Sequence, residues 1–323
     1  MYQGKRVLVI GIGGGGDIIG CIPTAEFLKS IDAKPIIGGL TWKRDKHDPF
    51  AWPRPSIHFS DVEPNKTIWY VNEKTRVIGP KAPETGTQIE TVLVPHVKYP
   101  IVAIDISHGV NAVSTEINEF CKSEGIEGVV GIDVGGDVLC KGDEKTIRSP
   151  ICDQLMLAAI TKMDNSVIGV AGIGTDGELP LKDFKKRFLQ VEKGYLGAIS
   201  IPDGILDMIN NILSLDDIGT ESSREYIRYV AGVKEAERKH YEDIMNKDSP
   251  AEFIDKIIGS HKKISLRDGK RIGELCELTT LTMFFKPDEI YRANLFSSYI
   301  EKHESVTSLR EYMIGIGLKT EPS

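Results

Sequence analysis

The stretch RVLVIGIGGGGD at residues 6–17 decides the fold. Its first half, Arg6 to Ile10, is a short run of β-branched and other apolar residues, which predicts a strand buried on both faces of a parallel sheet. The glycines end that strand, and the residues from Asp17 to Leu28 have helical spacing. Pro35 to Gly39 supplies a second short strand, so the chain is expected to open with a βαβ unit.

The alternation of strands and helices continues well beyond this unit. Further buried strands are predicted at Ile101–Ile104, Gly128–Ile132 and Ser166–Ala171, with helices at Val110–Ser123 and from Ser149-Pro150 to Met163. The pattern predicts an α/β fold, a Rossmann-like three-layer sandwich with a mostly parallel sheet and helical C-terminal additions. We expect residues 1–201 to form the core and residues 202–323 a mainly helical region packed on it, with a domain boundary near Pro202 as the alternative.

Other segments give less regular patterns. Residues 40–65, which include Trp42 and Trp52, read as a long ordered loop, and a lid over a site is one use of such a loop. The remaining predictions are a hairpin of Ile68–Val71 with Arg76–Ile78, a strand at Thr91–Val94, a helix over Arg224–Met245, a hairpin from Lys263–Leu266 through Asp268-Gly269 to Arg271 onward, and a strand at Leu281–Phe285.

Composition excludes several classes of protein. With 323 residues, 41% hydrophobic and 27% charged, the chain is globular rather than disordered. A net charge of −7 argues against a broad nucleic-acid-binding surface. The sequence contains no apolar segment long enough to predict a signal peptide or a membrane span. The 5 cysteines never occur as C-x-x-C, which argues against a zinc site and a disulfide framework, so we expect a cytoplasmic protein.

The glycine loop satisfies G-x-G-x-x-G between a strand and a helix. Gly11, Gly13, Gly14, Gly15 and Gly16 would let backbone N–H groups approach an anion at the helix N-terminus. This predicts phosphate or carboxylate binding, with a purely structural turn as the alternative. An ordinary dinucleotide site is disfavoured, because Asp17 stands where pyrophosphate would approach and the second strand ends in GGLTW, residues 38–42, without the ribose-binding acid. Lys43 and Arg44 follow and could receive a phosphate or lie on the solvated surface.

Glycine and acidic or amide residues recur in four loops, each after a predicted strand. Besides residues 11–17, these loops are residues 105–111, 133–137 and 172–178. Carboxyl ends of parallel strands share one edge, where ligands bind, so we expect one acidic pocket. Neighbouring carboxylates resist joint ionisation unless a cation lies among them, and Mg²⁺ is the natural candidate. The expected residues are Asp133, Asp137 and His108 for catalysis, Asn111, Gly174 and Asp176 with the five loop glycines for the ligand, and Asp17, Asp133 and Asp137 for the metal.

Four segments carry a family resemblance: GGGGDIIGCIPTAEFL (residues 13–28), GGLTWKRD (38–45), GIDVGGDVLCKGDE with RSPICDQLMLAA (131–159) and GIGTDGEL (172–179). In these the chain resembles the archaeal and bacterial family named domain of unknown function 1152, which implies no established reaction. The pairing of a glycine-acid loop with a later D-x-G-G-D loop also looks loosely like the D-glutamate cyclase family, whose members act on a small amino acid.

The leading hypothesis is a small-molecule enzyme that binds a phosphorylated or carboxylated ligand, a nucleotide or another metabolite, and uses clustered Asp residues for acid/base or Mg²⁺-assisted chemistry. One alternative is an NAD(P)-dependent oxidoreductase. Another is a non-catalytic nucleotide or metabolite sensor whose Trp42 and Trp52 segment closes over the ligand. A small molecule is the expected partner, without nucleic acid or membrane, and the chain could form a homo-oligomer.

Overall fold

The structure is a computed structural model that describes residues 2–42, 53–78, 88–215, 218, 220–247, 250–266, 269, 271–318 and 320. Lys43, Arg44 and Trp52 of the predicted lid, and Asp268 of the predicted hairpin turn, lie outside these residues.

The described residues fold into alternating strands and helices. The strands are β1 (Arg6–Gly11), β2 (Lys34–Leu40), β3 (Ile68–Val71), β4 (Ile101–Ile104), β5 (Gly128–Val134), β6 (Ser166–Ala171), β7 (Tyr195–Ser200), β8 (Lys262–Ser265), β9 (Ile272–Leu275) and β10 (Leu281–Phe285). The α-helices are α1 (Asp17–Ser30), α2 (Ile89–Leu93), α3 (Gly109–Glu124), α4 (Ile151–Ile160), α5 (Leu181–Val191), α6 (Asp203–Leu213), α7 (Ser222–Ala231), α8 (Glu235–Met245), α9 (Pro250–Ile257), α10 (Pro287–Arg292) and α11 (Val306–Gly315).

One sheet of eight strands organises the molecule, in the order β3-β4-β2-β1-β5-β6-β10-β7. Strands β4, β2, β1, β5 and β6 are mutually parallel, whereas β3 on one edge and β10 near the other run antiparallel to their neighbours. The chain leaves β1 toward β2 and later returns to the opposite side of β1 with β5. The carboxyl ends of β1 and β5 therefore flank the topological switch point, where open α/β sheets bind ligands.

Helices cover both faces of the sheet, and alternate residues of β1 show how. Leu8 and Ile10 are buried in the apolar cluster that contains the inner faces of α3, α4 and α5. Val7 and Val9 are buried in the cluster that contains α1, α6 and α7. Side chains of a strand point to opposite faces in turn, so a strand packed on both sides must be apolar throughout, as residues 7–10 are. The predicted three-layer sandwich with a mostly parallel sheet is confirmed.

Two predictions between β2 and β4 are wrong. The segment containing Arg76 does not pair with β3: β3 pairs antiparallel with β4, and Val77 forms only an isolated bridge with Phe59. Thr91 to Val94 is not a strand, because this segment lies in and directly after α2. A four-residue apolar run fits a strand and a buried helical turn equally well, and only long-range pairing separates the two.

The C-terminal region contributes to the same sheet. Strand β10, predicted at Leu281–Phe285, inserts between β6 and β7 and is antiparallel to both. The helix predicted over Arg224–Met245 is two helices, α7 and α8, and α7 ends at its C-cap, Gly232. The predicted hairpin is present as β8 and β9. Within the described ranges, no helix is both long and apolar enough to cross a bilayer.

Candidate functional site

The glycine loop after β1 is packed tightly by the protein itself. A Cβ on Gly11 would overlap the backbone at the start of α1, so glycine lets this helix begin directly against its strand. A Cβ on Gly14, which has φ +83°, would lie 3.0 Å from the Trp42 side chain, and one on Gly16 would overlap Thr220. The loop therefore brings α1, Trp42 and the segment before α7 together at the switch point.

Gly13 places the backbone beside two carboxylates. Its N–H donates to Asp17 Oδ2 at 2.8 Å, and a Cβ at Gly13 would overlap that oxygen and lie 2.8 Å from Asp153 Oδ1. The Gly13 N–H therefore already donates to a carboxylate of the protein. That the loop binds an external anion stays a prediction, and the N–H groups of the other loop glycines would have to bind it.

Three buried carboxylates converge at this point. Asp17 begins α1, Asp133 lies near the carboxyl end of β5, and Asp153 occupies the first turn of α4. One oxygen from each lies within 4.8 Å of the others, a spacing that could hold a metal ion. The three residues are 6%, 1% and 1% exposed, respectively, so water screens their mutual repulsion poorly. We call Asp17, Asp133 and Asp153 the carboxylate triad.

Backbone amides orient two members of the carboxylate triad. Asp17 Oδ2 also accepts the Val134 N–H at 3.2 Å, which ties the start of α1 to the end of β5. Asp133 Oδ2 accepts the N–H groups of Gly136 and Val138 at 3.1 and 3.2 Å. Its other oxygen, Oδ1, is buried and has no hydrogen-bond partner among the described residues. An unsatisfied buried carboxylate oxygen is costly unless a proton or another group compensates it.

Electrostatics favour proton or cation binding at this cluster. Burial, followed by the charges of Asp153, Asp17 and Asp176, raises the pKa of Asp133 well above its usual value. Burial and then Asp153, Asp133, Asp176 and Glu178 do the same to the pKa of Asp137. Burial is also the main cause that raises the pKa of Asp176 to about 7.

Glu178 fixes the entry into α4, the helix that carries Asp153. Its Oε2 accepts the N–H groups of Arg148 and Ser149 at 2.7 and 3.0 Å, and its Oε1 accepts the Ser149 hydroxyl at 2.8 Å. Its own N–H donates to Asp176 Oδ1 at 2.8 Å. The loop after β6 thereby positions the loop after β5, and both belong to the acidic site.

The structure brings together part of the predicted site and separates the rest. Asp17, Asp133, Asp137 and Asp176 share the region around the switch point. The loop after β4 does not join them as directly, because β2 lies between β4 and β1.

The residues of the β4 loop have other neighbours. His108 is exposed, and its charge acts on the pKa of Asp105, which burial raises overall. The amide oxygen of Asn111 accepts a hydrogen bond from Lys162 Nζ at 3.0 Å, beyond the C-terminal end of α4. Gly174 lies against the small hairpin, where its carbonyl accepts the Glu274 N–H at 2.9 Å.

Sequence reasoning missed Asp153, although the signal for it was present. The helix after β5 was predicted from Ser149-Pro150, and a helix that follows a parallel strand starts at the ligand-binding edge. An acid in its first turn therefore belongs to the same edge as Asp17 and Asp133. First-turn acids are common because they complement the helix dipole, so Asp153 carries no distinct motif.

Glu90, in α2, is a second buried acid that the sequence did not single out. Gln88 links it to a buried arginine: Gln88 Nε2 donates to Glu90 Oε2 at 2.6 Å, and Arg54 Nη1 donates to Gln88 Oε1 at 2.9 Å. Burial raises the pKa of Glu90 from 4.5 to about 7, against smaller lowering effects of Gln88 and Arg54.

This shift predicts a pH-dependent stability difference between the wild type and Glu90→Gln. Between pH 4.5 and 7 the native Glu90 binds more proton than the unfolded one, so the free energy of unfolding of the wild type falls as pH rises. Glu90→Gln cannot titrate at this position, so its stability lacks this pH dependence. In urea unfolding, the free energy of unfolding of the variant relative to the wild type should rise by up to about 3 kcal/mol between pH 5 and pH 8. Glu192→Gln, at an exposed position, is the control. A difference that does not change with pH would contradict the assignment.

Comparisons with known proteins give one family. Neither the curated proteins nor the solved structures include a match to this chain. The family model described as "Protein of unknown function (DUF1152)" matches residues 8–238, which run from within β1 to the first turn of α8 and include every member of the carboxylate triad. The chain therefore belongs to the DUF1152 family.

Proposed function

We propose that the protein is a small-molecule enzyme that uses a divalent cation, Mg²⁺ by preference, at the carboxylate triad to act on a phosphorylated or carboxylated metabolite. The observation that carries the proposal is the convergence of three buried carboxylates at the switch point, with Asp133 Oδ1 unpaired among the described residues. Buried carboxylates require protons, a cation or a substrate ammonium group as compensation. Mg²⁺ binds to a few carboxylates and keeps positions for water and substrate phosphate.

Asp133 is the central ligand in this proposal. Its Oδ2 is held by two backbone N–H groups, so the carboxylate is oriented before a cation arrives, and Oδ1 is the oxygen left for the metal. Asp17 and Asp153 supply the other protein oxygens. The sequence-based metal set of Asp17, Asp133 and Asp137 is revised in this proposal, because Asp153 takes the place of Asp137 as the third ligand.

Asp137 is the proposed general acid or base. Its pKa is raised by burial and by four surrounding carboxylates, which favours the protonated form of the side chain. A cation bound at the triad would lower that pKa, since it supplies the opposite charge. When bound, Mg²⁺ would stabilise negative charge that develops on the ligand's phosphate or carboxylate. Asp137 would then transfer a proton at the reacting group.

Metal binding by the purified protein is the direct test. Titration with MgCl₂ against an EDTA-treated reference should raise the melting temperature by about 5 °C at saturation, because a ligand that binds only the folded state stabilises it by mass action. Asp133→Asn and Asp153→Asn should each weaken Mg²⁺ binding by about tenfold or more.

Two further variants show whether an effect is specific to Mg²⁺ binding or to turnover. Asp164→Asn, at an exposed position on the loop before β6, should respond to Mg²⁺ like the wild type. Asp137→Asn should still bind Mg²⁺ and lose turnover on any substrate found by screening nucleotides, sugar phosphates and amino acids. If the wild type shows no response to Mg²⁺, Mn²⁺ or Ca²⁺, the proposed metal chemistry is wrong.

The same screen separates the other hypotheses. An oxidoreductase would bind NADH or NADPH in a fluorescence titration, and absence of binding up to about millimolar concentration would remove that alternative. A non-catalytic sensor would bind a ligand without turnover, and Asp137→Asn would then change affinity alone.

A further inference from the structure

A second site lies beside the acidic one and has the opposite charge. It is a cleft of about 420 Å³ between the loop before α4, the loop after β6 and the β8–β9 hairpin. Lys145, Arg148, Lys263 and Arg271 line it, and Glu274 is the one acidic residue among its described lining residues. We call it the basic cleft. Its volume falls in the range of sites for small molecules.

The hairpin is held rigidly enough to form one wall of the basic cleft. The Glu274 N–H donates to the Gly174 carbonyl at 2.9 Å, and a Cβ at Gly177, which has φ +71°, would lie 2.8 Å from the Ile272 carbonyl. Gly174 and Gly177 of the loop after β6 therefore allow backbone-to-backbone contact with β9. Gly174, which the sequence predicted as a ligand residue, here binds the β8–β9 hairpin through its backbone carbonyl.

The charges of the cleft are unevenly compensated. Glu274 is already engaged: its Oε2 accepts the Leu181 N–H at 2.9 Å, and its Oε1 lies 3.7 Å from Lys263 Nζ. Arg271 Nη1 donates to the Asp176 carbonyl at 3.3 Å, which attaches the hairpin to the acidic loop, and its Nη2 lies 3.4 Å from Glu221 Oε2, so the charge of Arg271 is paired. Arg148, whose backbone N–H is bound by Glu178, is half-buried and lines the cleft with Lys145 and Lys263. An arginine and two lysines that line one cleft supply donors suited to the oxygens of phosphate.

We infer that the basic cleft binds a phosphate or pyrophosphate group, the non-reacting anionic end of the substrate whose other end reaches the carboxylate triad. This rests on the proposed function for the identity of the second end. The two sites share short segments of chain: Arg148 lies shortly before Asp153 in the sequence, and Asp176 and Gly177 are adjacent residues facing the acidic site and the cleft, respectively. A phosphorylated metabolite is thus the substrate class, rather than a simple carboxylate.

The test measures anion binding without metal, so that it does not depend on the carboxylate triad. Isothermal titration of the full chain with inorganic pyrophosphate in EDTA, at ionic strength fixed with KCl, should show saturable binding. Arg148→Gln and Lys263→Gln should each raise Kd by about tenfold. Lys263 is exposed, so its variant reports on binding without risk to folding. Lys193→Gln, an exposed lysine before β7, should leave Kd unchanged.

One variant should act in the opposite direction. Glu274→Gln removes the acidic lining charge and keeps an oxygen for the Leu181 N–H, so pyrophosphate should bind more tightly, by about threefold or more. Sulfate in place of pyrophosphate shows whether any dianion suffices, and equal affinity for sulfate would overturn the assignment to phosphate.

The possible failures are distinguishable. Absence of pyrophosphate binding, or binding that Arg148→Gln and Lys263→Gln do not weaken, overturns the basic cleft as the site. Binding in EDTA that Asp133→Asn leaves intact, together with no response to Mg²⁺, refutes the metal chemistry and upholds the cleft.

Discussion

Gly11→Ala is expected to lower the free energy of unfolding by at least about 3 kcal/mol, which is a large fraction of the stability of an ordinary protein. The added Cβ would lie well inside van der Waals distance of the Ile18 nitrogen and the Asp17 carbonyl carbon. Both are backbone atoms, so no side-chain rotation relieves the overlap. The strand and helix would have to separate, and Asp17 would move away from Asp133 with them.

The same substitution elsewhere supplies the control. A Cβ at Gly204, in the first turn of α6, would have no atom of the described residues within 4 Å, and Gly204→Ala should stabilise the protein by about 0.4–1 kcal/mol through a less flexible unfolded chain. Urea unfolding of both variants measures the two effects with opposite signs. A Gly11→Ala variant within about 1 kcal/mol of the wild type would show that the junction of β1 and α1 is looser than these contacts indicate.

These glycines show what the sequence could and could not predict about the loop. A G-x-G-x-x-G stretch between a strand and a helix correctly placed a tight turn at the switch point. The role of the glycines depends on which groups pack against them, and two of these groups lie far along the chain. Asp153 lies beside Gly13, and Thr220 lies beside Gly16. A local motif contains no information about such distant partners.

The fold followed from local patterns because each buried strand is apolar on both faces. The order of the strands did not, since pairing is decided between distant segments. Four loops were expected to converge, and those after β1, β5 and β6 do, but β2 separates the β4 loop from the acidic site. Strand β7 was not predicted, because its sequence, YLGAIS, has a glycine in the interior of the strand, which weakens the strand pattern. In the structure Gly197 has φ +123°, and the pairing of β7 with β10 shifts register between Phe284 and Phe285.

Asp133→Asn is expected to stabilise the metal-free protein at pH 8 by about 2 kcal/mol or more, although it weakens Mg²⁺ binding. The asparagine oxygen can still accept the N–H groups of Gly136 and Val138, and its amide can donate to a neighbouring carboxylate from the position of the unpaired Oδ1. The substitution also removes one of several like charges from a buried cluster. Proteins commonly sacrifice stability at functional sites, and Asp133 would be such a case.

The sign of the pH dependence follows from the raised pKa of Asp133. Below the pKa of the aspartate in the unfolded protein, Asp133 is protonated in the folded and the unfolded protein, and burial of its charge does not lower the free energy of unfolding. Above the pKa in the folded protein, Asp133 is ionised in both, and the buried charge lowers the free energy of unfolding by its full amount. The advantage of Asp133→Asn in EDTA should therefore be larger at pH 8 than at pH 4.

Magnesium should narrow the stability difference between the two proteins. At one hundred times the wild-type Kd, Mg²⁺ stabilises the wild type by about 2.7 kcal/mol and a variant with a tenfold higher Kd by about 1.4 kcal/mol, so the advantage of Asp133→Asn should shrink by at least about 1.3 kcal/mol between EDTA and MgCl₂ buffers. Asp164→Asn should follow the wild type in both. If Asp133→Asn is the less stable protein in EDTA at pH 8, the charge of Asp133 is already compensated within the chain. The carboxylate triad would then be a structural ion network rather than a cation site, because a site that needs a cation must be destabilised without it.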